Sequence, residues 1–237
     1  MLEWRETYLE WLMTAKSETE IFSRLVAAVH ELGFEHCLFG VRIPIPVSDP
    51  QFSFQSDYPD AWIARYVDDN YFANDPTVRH ALTHSFPLIW SADGQTQNVE
   101  FWQEAASYGL RHGCCMPTRS RIGMAGFLTM TRSTEAVDEH ELSDKGYRMS
   151  WLATAVGGVL SEYHLSRRTP EYVVELTLRE RETLKWSAAG KTYAEISKIM
   201  LIDERTVKFH LVNTLRKLNA LNKTEAAVKA AILGLLF

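Results

Sequence analysis

Residues 176–182, Leu-Thr-Leu-Arg-Glu-Arg-Glu, are followed by residues 190–196, Gly-Lys-Thr-Tyr-Ala-Glu-Ile, and by residues 203–213, Asp-Glu-Arg-Thr-Val-Lys-Phe-His-Leu-Val-Asn. A threonine three residues before a glutamate can form a capping box. Thr177 and Glu180 therefore predict a helix opening at Thr177, ahead of the apolar positions Leu184 and Ala188. Gly190 stops it. A second short helix fits Thr192 to about Met200, with Ala194 and Ile196 available for packing, and Asp203 supplies an N-cap acceptor for a third helix running to about Leu218. Two helices joined by about three residues have helix-turn-helix spacing. At about 100° per residue, the third helix gathers Val207, Leu211 and Leu218 on one side. Arg205, Lys208, Phe209, Val212 and Arg216 fall on another. One stripe packs and the other suits a nucleic-acid groove; a solvated basic face is the plainer alternative. Asn222 caps a fourth helix, Lys223 to about Leu233, with a small-residue surface of Ala226, Ala227, Val228, Ala230 and Ala231.

Charge divides the chain in the same place. Residues 175–237 carry 11 Lys and Arg against 7 Asp and Glu, which leaves 14 against 23 for residues 1–174. The basic end can neutralise phosphates, and the acidic larger portion does not compete for them. The whole-chain pI near 5.9 conceals this asymmetry.

The 237 residues, 46% of them hydrophobic, suffice for one substantial core and one small domain. Cys37, Cys114 and Cys115 are odd in number and lack metal spacing, and a bridge between neighbours would need a strained ring, so all three read as reduced thiols of a cytosolic protein. No signal segment and no run of eighteen apolar residues is present, which argues against secretion or membrane spanning. The polar stretch at 166–172, interrupted by Pro170, reads as a linker. The expected division is 1–165, a linker over 166–175, and 176–237.

Ahead of the linker, helical periodicity runs through Trp4, Tyr8, Trp11 and Leu12, and again through Ile21, Leu25, Val26 and Val29 up to Gly33. Strands are expected at Cys37–Ile43 and Phe52–Gln55, helices around 62–66, 76–83 and 100–108, strands at Gly113–Thr118 and Ala125–Arg132, and a closing helix from about Asp138 to Tyr163. This order predicts an α+β chain: an N-terminal α/β/α sandwich on a mostly antiparallel sheet, followed by an all-α helix-turn-helix domain.

The C-terminal segment resembles the DNA-binding domain of LuxR-type regulators, a pattern shared with response regulators of the NarL class. The resemblance rests on Arg179-Glu180, Leu184, Gly190-Lys191-Thr192, Glu195-Ile196, Arg205-Thr206-Val207, His210, Asn213 and Lys217-Leu218. It implies that Lys208 and Val212 face base edges, while Thr192, Arg205 and Thr206 lie near phosphates; Arg216 belongs to the same basic stripe. Many members have serine where Asp203 stands.

A second resemblance enters at Tyr58-Pro-Asp-Ala-Trp62-Ile-Ala-Arg-Tyr66, Asp75-Pro-Thr-Val78, Pro87-Leu-Ile-Trp90 and Gly113. These residues are similar to the acyl-homoserine-lactone-binding domain of LuxR-type quorum-sensing receptors, with a likeness to orphan pseudomonad receptors. Such a ligand has a ring carbonyl, an amide and an apolar tail, so its site needs two donors, an acceptor and an apolar slot. By resemblance, the Trp62 indole serves the ring carbonyl, Asp75 the amide N–H and Tyr58 the amide carbonyl, with Thr129 as a supporting hydroxyl. Tyr66 and Trp90 wall the lactone and tail.

The residues alone leave alternatives open. Asp75-Pro-Thr-Val is equally a helix start with Asp as N-cap, and Trp62, Tyr66 and Trp90 read as well as core aromatics. If Thr129 points inward, strand alternation brings Ala125 and Phe127 to the same face, where Phe127 shortens the tail slot and favours medium chains. Leu38 and Cys115 are further candidates for that slot.

The family resemblance further implies an inverted-repeat promoter bound as a homodimer, with half-sites about 10 base pairs apart or a multiple. The partners expected are double-stranded DNA, a small-molecule autoinducer, a second copy of the chain and RNA polymerase, with no membrane and no cofactor. An enzyme is not expected: there is no His-x-His-x-Asp-His cluster and no Gly-x-Ser-x-Gly elbow. A phosphorylated receiver is disfavoured, because Asp68-Asp69 are the only paired aspartates and the chain opens on helical periodicity rather than on a strand. A regulator of the same fold answering to another ligand, or to none, is the remaining alternative.

Overall fold

The computed structural model describes residues 2–46, 48, 50–119, 125–168 and 174–236. The chain divides into two compact units. One is built from Met1–Ile43, Phe52–Ser120 and Ala125–Tyr163; the other rests on His164–Phe237.

In the first unit, α1 (Leu2–Thr14) and α2 (Glu18–Glu31) precede β1 (His36–Ile43) and β2 (Gln51–Ser56). Then come α3 (Asp60–Asp68), a 3-10 turn at Tyr71–Ala73, α4 (Pro76–Thr83), β3 (Leu88–Ser91) and α5 (Val99–Ser107). The strands β4 (His112–Arg119) and β5 (Ala125–Arg132) lead into α6 (Glu139–Arg168). The five strands form one sheet in the order β2-β1-β5-β4-β3, antiparallel in the β1/β5, β5/β4 and β4/β3 pairs.

Alternation along the strands sorts residues between two helical layers. On β4 the Cys115 thiol turns to the Thr77 carbonyl of α4 at 3.7 Å, whereas its neighbour Met116 accepts from Ser150 of α6 at 3.7 Å. Thr118, on the same face as Met116, packs against Gly157 of α6. The sheet is thus sandwiched, as its element order predicts. Arg132 at the end of β5 is buried, and it bonds Glu141 of α6 at 2.6 and 3.0 Å and the Gly33 carbonyl after α2 at 3.3 Å. One guanidinium thereby ties the sheet to both helices.

The strand β3 and the 3-10 turn are additions to the predicted elements. β3 is only four residues long, too short for a period-2 pattern to stand out. α6 continues through Arg168, past the expected start of the linker at Ser166, while Pro170 lies outside the described residues.

The second unit contains α7 (Leu178–Ala188), α8 (Tyr193–Met200), α9 (Glu204–Lys217) and α10 (Lys223–Ile232). Thr177 with Glu180, and Thr192 with Glu195, close capping boxes on α7 and α8. Asn222 caps α10 through the Glu225 N–H at 2.9 Å. Asp203 occupies the N-cap position of α9 but makes no side-chain capping bond: its carbonyl accepts from Thr206 and Val207, and the residue is exposed. The core consists of Leu184, Ile196, Val207, Leu211, Leu218, Ala226 and Ala230. Glu180, itself buried, accepts from Lys217 Nζ at 2.7 Å and so links α7 to α9. Burial raises its pKa, but the bonds from Lys217 and the Thr177 cap outweigh that and hold the carboxyl below the ordinary range.

Candidate functional site

Between the sheet and helices α3–α5, an aromatic cluster surrounds a small cavity of about 30 Å³. Eight of the nine residues named from the sequence line it: Leu38, Tyr58, Trp62, Tyr66, Asp75, Trp90, Phe127 and Thr129. Cys115 packs in the same cluster with its thiol toward Thr77. Ala125 is not among the lining residues.

Local folding places each group. Pro59 starts α3, and the spacing of Trp62 and Tyr66, one helical turn apart, puts both rings on its buried face. Asp75 caps α4: its Oδ1 accepts from Thr77 N at 2.7 Å, Thr77 Oγ1 at 2.7 Å and Val78 N at 3.4 Å. Oδ2 accepts from the Tyr66 hydroxyl at 2.7 Å. The two readings of Asp75 are therefore compatible, since capping uses one oxygen and leaves the other toward Tyr66. Tyr66 does more than wall the cavity, because its hydroxyl holds this carboxylate.

Burial dominates the electrostatics. It raises the Asp75 carboxyl above its usual pKa, against hydrogen bonds from Tyr66 and Thr77 that pull it down. It pushes the Tyr58 and Tyr66 hydroxyls well up, so both remain protonated donors. The cysteine thiols behave alike, with Cys114 pushed up to about 12 by burial; all three are buried and free, which makes them poor nucleophiles. Among the described residues, no group of three His, Cys, Asp or Glu is placed to hold a metal ion.

Thr77, Phe101, Trp102, Ala105, Leu110 and Thr131 also line the cavity, and the sequence reading passed over them. Thr131 was within reach, since it follows Thr129 by two on the same strand. Phe101, Trp102 and Ala105 sit on α5, whose inward face depends on tertiary packing. Trp90 Nε1, Thr129 Oγ1 and Thr131 Oγ1 are buried and make no well-formed hydrogen bond, although Thr129 lies near enough to the Cys115 thiol to draw its pKa down. Thr131 stands near enough to the Tyr58 hydroxyl to draw its pKa down, against the larger upward push of burial.

On α9, Val207, Leu211, Thr214 and Leu218 are buried, while Arg205, Lys208, Phe209, Val212 and Arg216 are exposed and Thr206 is half-buried. Thr192 is exposed at the start of α8, where its hydroxyl is engaged with Glu195. The two stripes predicted for the third helix are thus separated by burial. Among the described residues, no helix is long and apolar enough to cross a membrane.

Residues 17–157 match the autoinducer binding domain family, and residues 174–230 match the bacterial regulatory proteins of the luxR family. The chain is 39% identical to the transcriptional activator protein AnoR of Acinetobacter nosocomialis, covering 100% of both chains. It is 34% identical to the HTH-type quorum-sensing regulator RhlR of Pseudomonas aeruginosa, over 97% of this chain and 98% of that protein. The crystal structure of Escherichia coli SdiA matches with a TM-score of 0.84 at 29% identity, covering 100% of this chain and 99% of that one. SdiA in complex with octanoyl-rac-glycerol matches with a TM-score of 0.85 at 30% identity, covering 99% and 96%. An autoinducer-binding domain followed by a helix-turn-helix domain, in a chain matched along its whole length by such regulators, makes this protein a member of the LuxR family of quorum-sensing transcriptional regulators rather than an enzyme.

Proposed function

We propose that the regulator binds an N-acyl-homoserine lactone in the cavity of residues 1–165 and, as a homodimer, an inverted-repeat promoter site through residues 176–237, with residues 166–175 as the linker. The observation that carries the ligand class is Asp75, a buried carboxylate beside Tyr58 and Trp62, which offers an acceptor flanked by donors. In this reading Asp75 accepts the amide N–H, Tyr58 donates to the amide carbonyl with Thr129 in support, and Trp62 donates to the ring carbonyl. Tyr66 and Trp90 pack the head, while Leu38, Cys115 and Phe127 bound the tail slot. A site holding unpartnered polar atoms is poorly satisfied by itself, so ligand favours the folded state by mass action, about 2.7 kcal/mol at a hundredfold excess over Kd.

On DNA, Lys208 and Val212 read base edges, Thr192, Arg205 and Thr206 approach phosphates, and Arg216 extends the basic stripe. Contact with RNA polymerase and residence in the cytoplasm follow from action at a promoter. A second reading, a different small amphiphile, is favoured by the relative SdiA having been solved in complex with octanoyl-rac-glycerol.

The decisive experiment is mass spectrometry of small molecules extracted from protein expressed with and without a mixture of acyl-homoserine lactones. Retention of one lactone at near-stoichiometric yield is the expected result. Retention of a lipid or glyceride in both preparations, with no lactone in either, overturns the lactone in favour of the second reading.

A further inference from the structure

The strand β5 presents Phe127, Thr129 and Thr131 to the cavity, and the sheet register fixes what stands beside each. Thr131 is paired with Gly113 of β4, and Gly113 with Trp90 of β3, so these three residues form one row across the sheet. The Trp90 indole lies against Gly113: a Cβ there would meet Cζ2 at 2.5 Å and Cε2 at 2.7 Å, and Cε2 is the atom bonded to the indole nitrogen. A side chain on the middle strand would stand between Trp90 and Thr131, and glycine removes it.

Trp90 Nε1 at one end of this row has no hydrogen-bond partner, and Thr131 Oγ1 at the other makes no well-formed hydrogen bond, its nearest polar neighbour being the Tyr58 hydroxyl. The residues are only 7% and 1% exposed. Buried groups of this kind are nearly always paired, so two in one row that borders a cavity call for an occupant. The opposite end of the strand face is apolar, with Phe127 against Gly40. At about 3.3 Å per residue, the four-residue step from Thr131 to Phe127 lays out a polar-to-apolar axis of about 13 Å.

We propose that Trp90 Nε1 and Thr131 Oγ1 form a second polar subsite of the cavity, which takes an oxygen acceptor on the ligand head group and adjoins the amide-binding set of Tyr58, Asp75 and Thr129 at Tyr58. The proposal rests on the lactone reading above for its natural ligand but not for its chemistry. Both groups can donate, so a lactone ester oxygen or a glycerol hydroxyl satisfies the subsite and a carbocycle does not. Trp90 thereby becomes a determinant of head-group specificity, beyond its part as an aromatic wall.

Calorimetric titration of the full chain with N-octanoyl-homoserine lactone and with N-octanoyl-cyclopentylamide, which lacks the ring oxygens, tests this. Wild type should prefer the lactone by about tenfold or more, as expected when buried donors are left unpaired by the analogue. Trp90→Phe and Thr131→Val should each reduce the preference for the lactone over the carbocycle by about fivefold or more, and Thr131→Ser should retain the preference. Equal losses for both ligands overturn the subsite. The same proteins are titrated with octanoyl-rac-glycerol and with propyl octanoate, which lacks the glycerol hydroxyls. If wild type ignores both lactone and carbocycle, the lactone reading fails and the glyceride pair decides the subsite. Absence of discrimination within the pair that wild type binds overturns it.

Discussion

The hydroxyl of Tyr66 donates to Oδ2 of Asp75 at 2.7 Å, while Oδ1 of the same carboxylate takes the Thr77 N–H at 2.7 Å. Capping uses one oxygen and the proposed ligand role falls to the other, so substitution can separate them. Asp75→Asn keeps an oxygen for the cap and removes the charge. Melting of the free protein should then change by less than about 1 kcal/mol. Lactone affinity should fall about tenfold to a hundredfold, the loss of one charge-assisted bond of roughly 1.5–3 kcal/mol. Undiminished lactone binding by the Asn variant would remove Asp75 from the ligand set.

The same carboxylate gives a pH dependence of definite sign. Burial raises its folded pKa, so over the window between its unfolded value, about 3.9, and that raised value the folded state holds more protons than the unfolded state. Its contribution to stability is therefore greatest below the window and declines as pH rises through it. Ligand binding runs the other way, because the ionised form is the better acceptor for an amide N–H. Lactone affinity should fall as pH is lowered from neutrality through that raised value, and Asp75→Asn should flatten the slope. A wild-type affinity that is level or rising toward acid pH would contradict the role given to the carboxylate.

The C-terminal helices were legible because each start carries its own side-chain signal: Thr177, Thr192 and Asn222 cap the helices they announce. Asp203 shows where such reasoning stops, since a residue that can cap still leaves the bond unmade when backbone groups and solvent serve instead. In the first unit, local signals found β1 and β5, eight-residue strands buried almost throughout, and α4, whose start Asp75 and Pro76 announce. It did not find β3, whose four residues become a strand only by pairing with β4. The cavity was legible along α3 and β5 but not at Phe101 and Trp102. Helical spacing says that one face of α5 is buried, yet only tertiary packing says against what.

Leu201 ends α8 in the left-handed region, at φ 54°, with its side chain 90% exposed. A branched residue there bears a backbone penalty of about 1–2 kcal/mol, and its burial returns nothing. Glycine removes the penalty but loses more conformational freedom on folding, roughly 0.5–1 kcal/mol. Leu201→Gly should therefore stabilise the C-terminal unit by about 0.5–1 kcal/mol in denaturant titration, with operator affinity unchanged. A destabilised variant would mean that the exposed leucine has a partner in solution.

Lys208 is exposed on the α9 stripe, one residue after the buried Val207. If it reads a base edge, Lys208→Ala should cost about 1–3 kcal/mol in operator binding and relax preference at one position of the half-site. If it touches only phosphate, the loss should be uniform across sequences, with the salt slope reduced by about one. Mobility-shift titrations on operators varied base by base, at two salt concentrations, separate the two outcomes. Unchanged affinity at both salts would take Lys208 out of the interface.

Phe127 closes the apolar end of the cavity by resting on Gly40, where a Cβ would come 2.6 Å from its Cζ. The glycine leaves room for the ring, and the ring takes up length that a longer acyl tail would need. Wild type should therefore bind medium-chain lactones best. Phe127→Ala opens that end, at a cost of about 3–5 kcal/mol to the free protein, so Phe127→Leu serves as the milder companion. In either variant the optimum should move to longer chains, each newly buried methylene contributing about 0.8 kcal/mol, or roughly fourfold in affinity. Fluorescence titration across a straight-chain lactone series reads the shift directly. Should the longest tail already win in wild type, or the optimum stay fixed in both variants, Phe127 does not set the length of the slot.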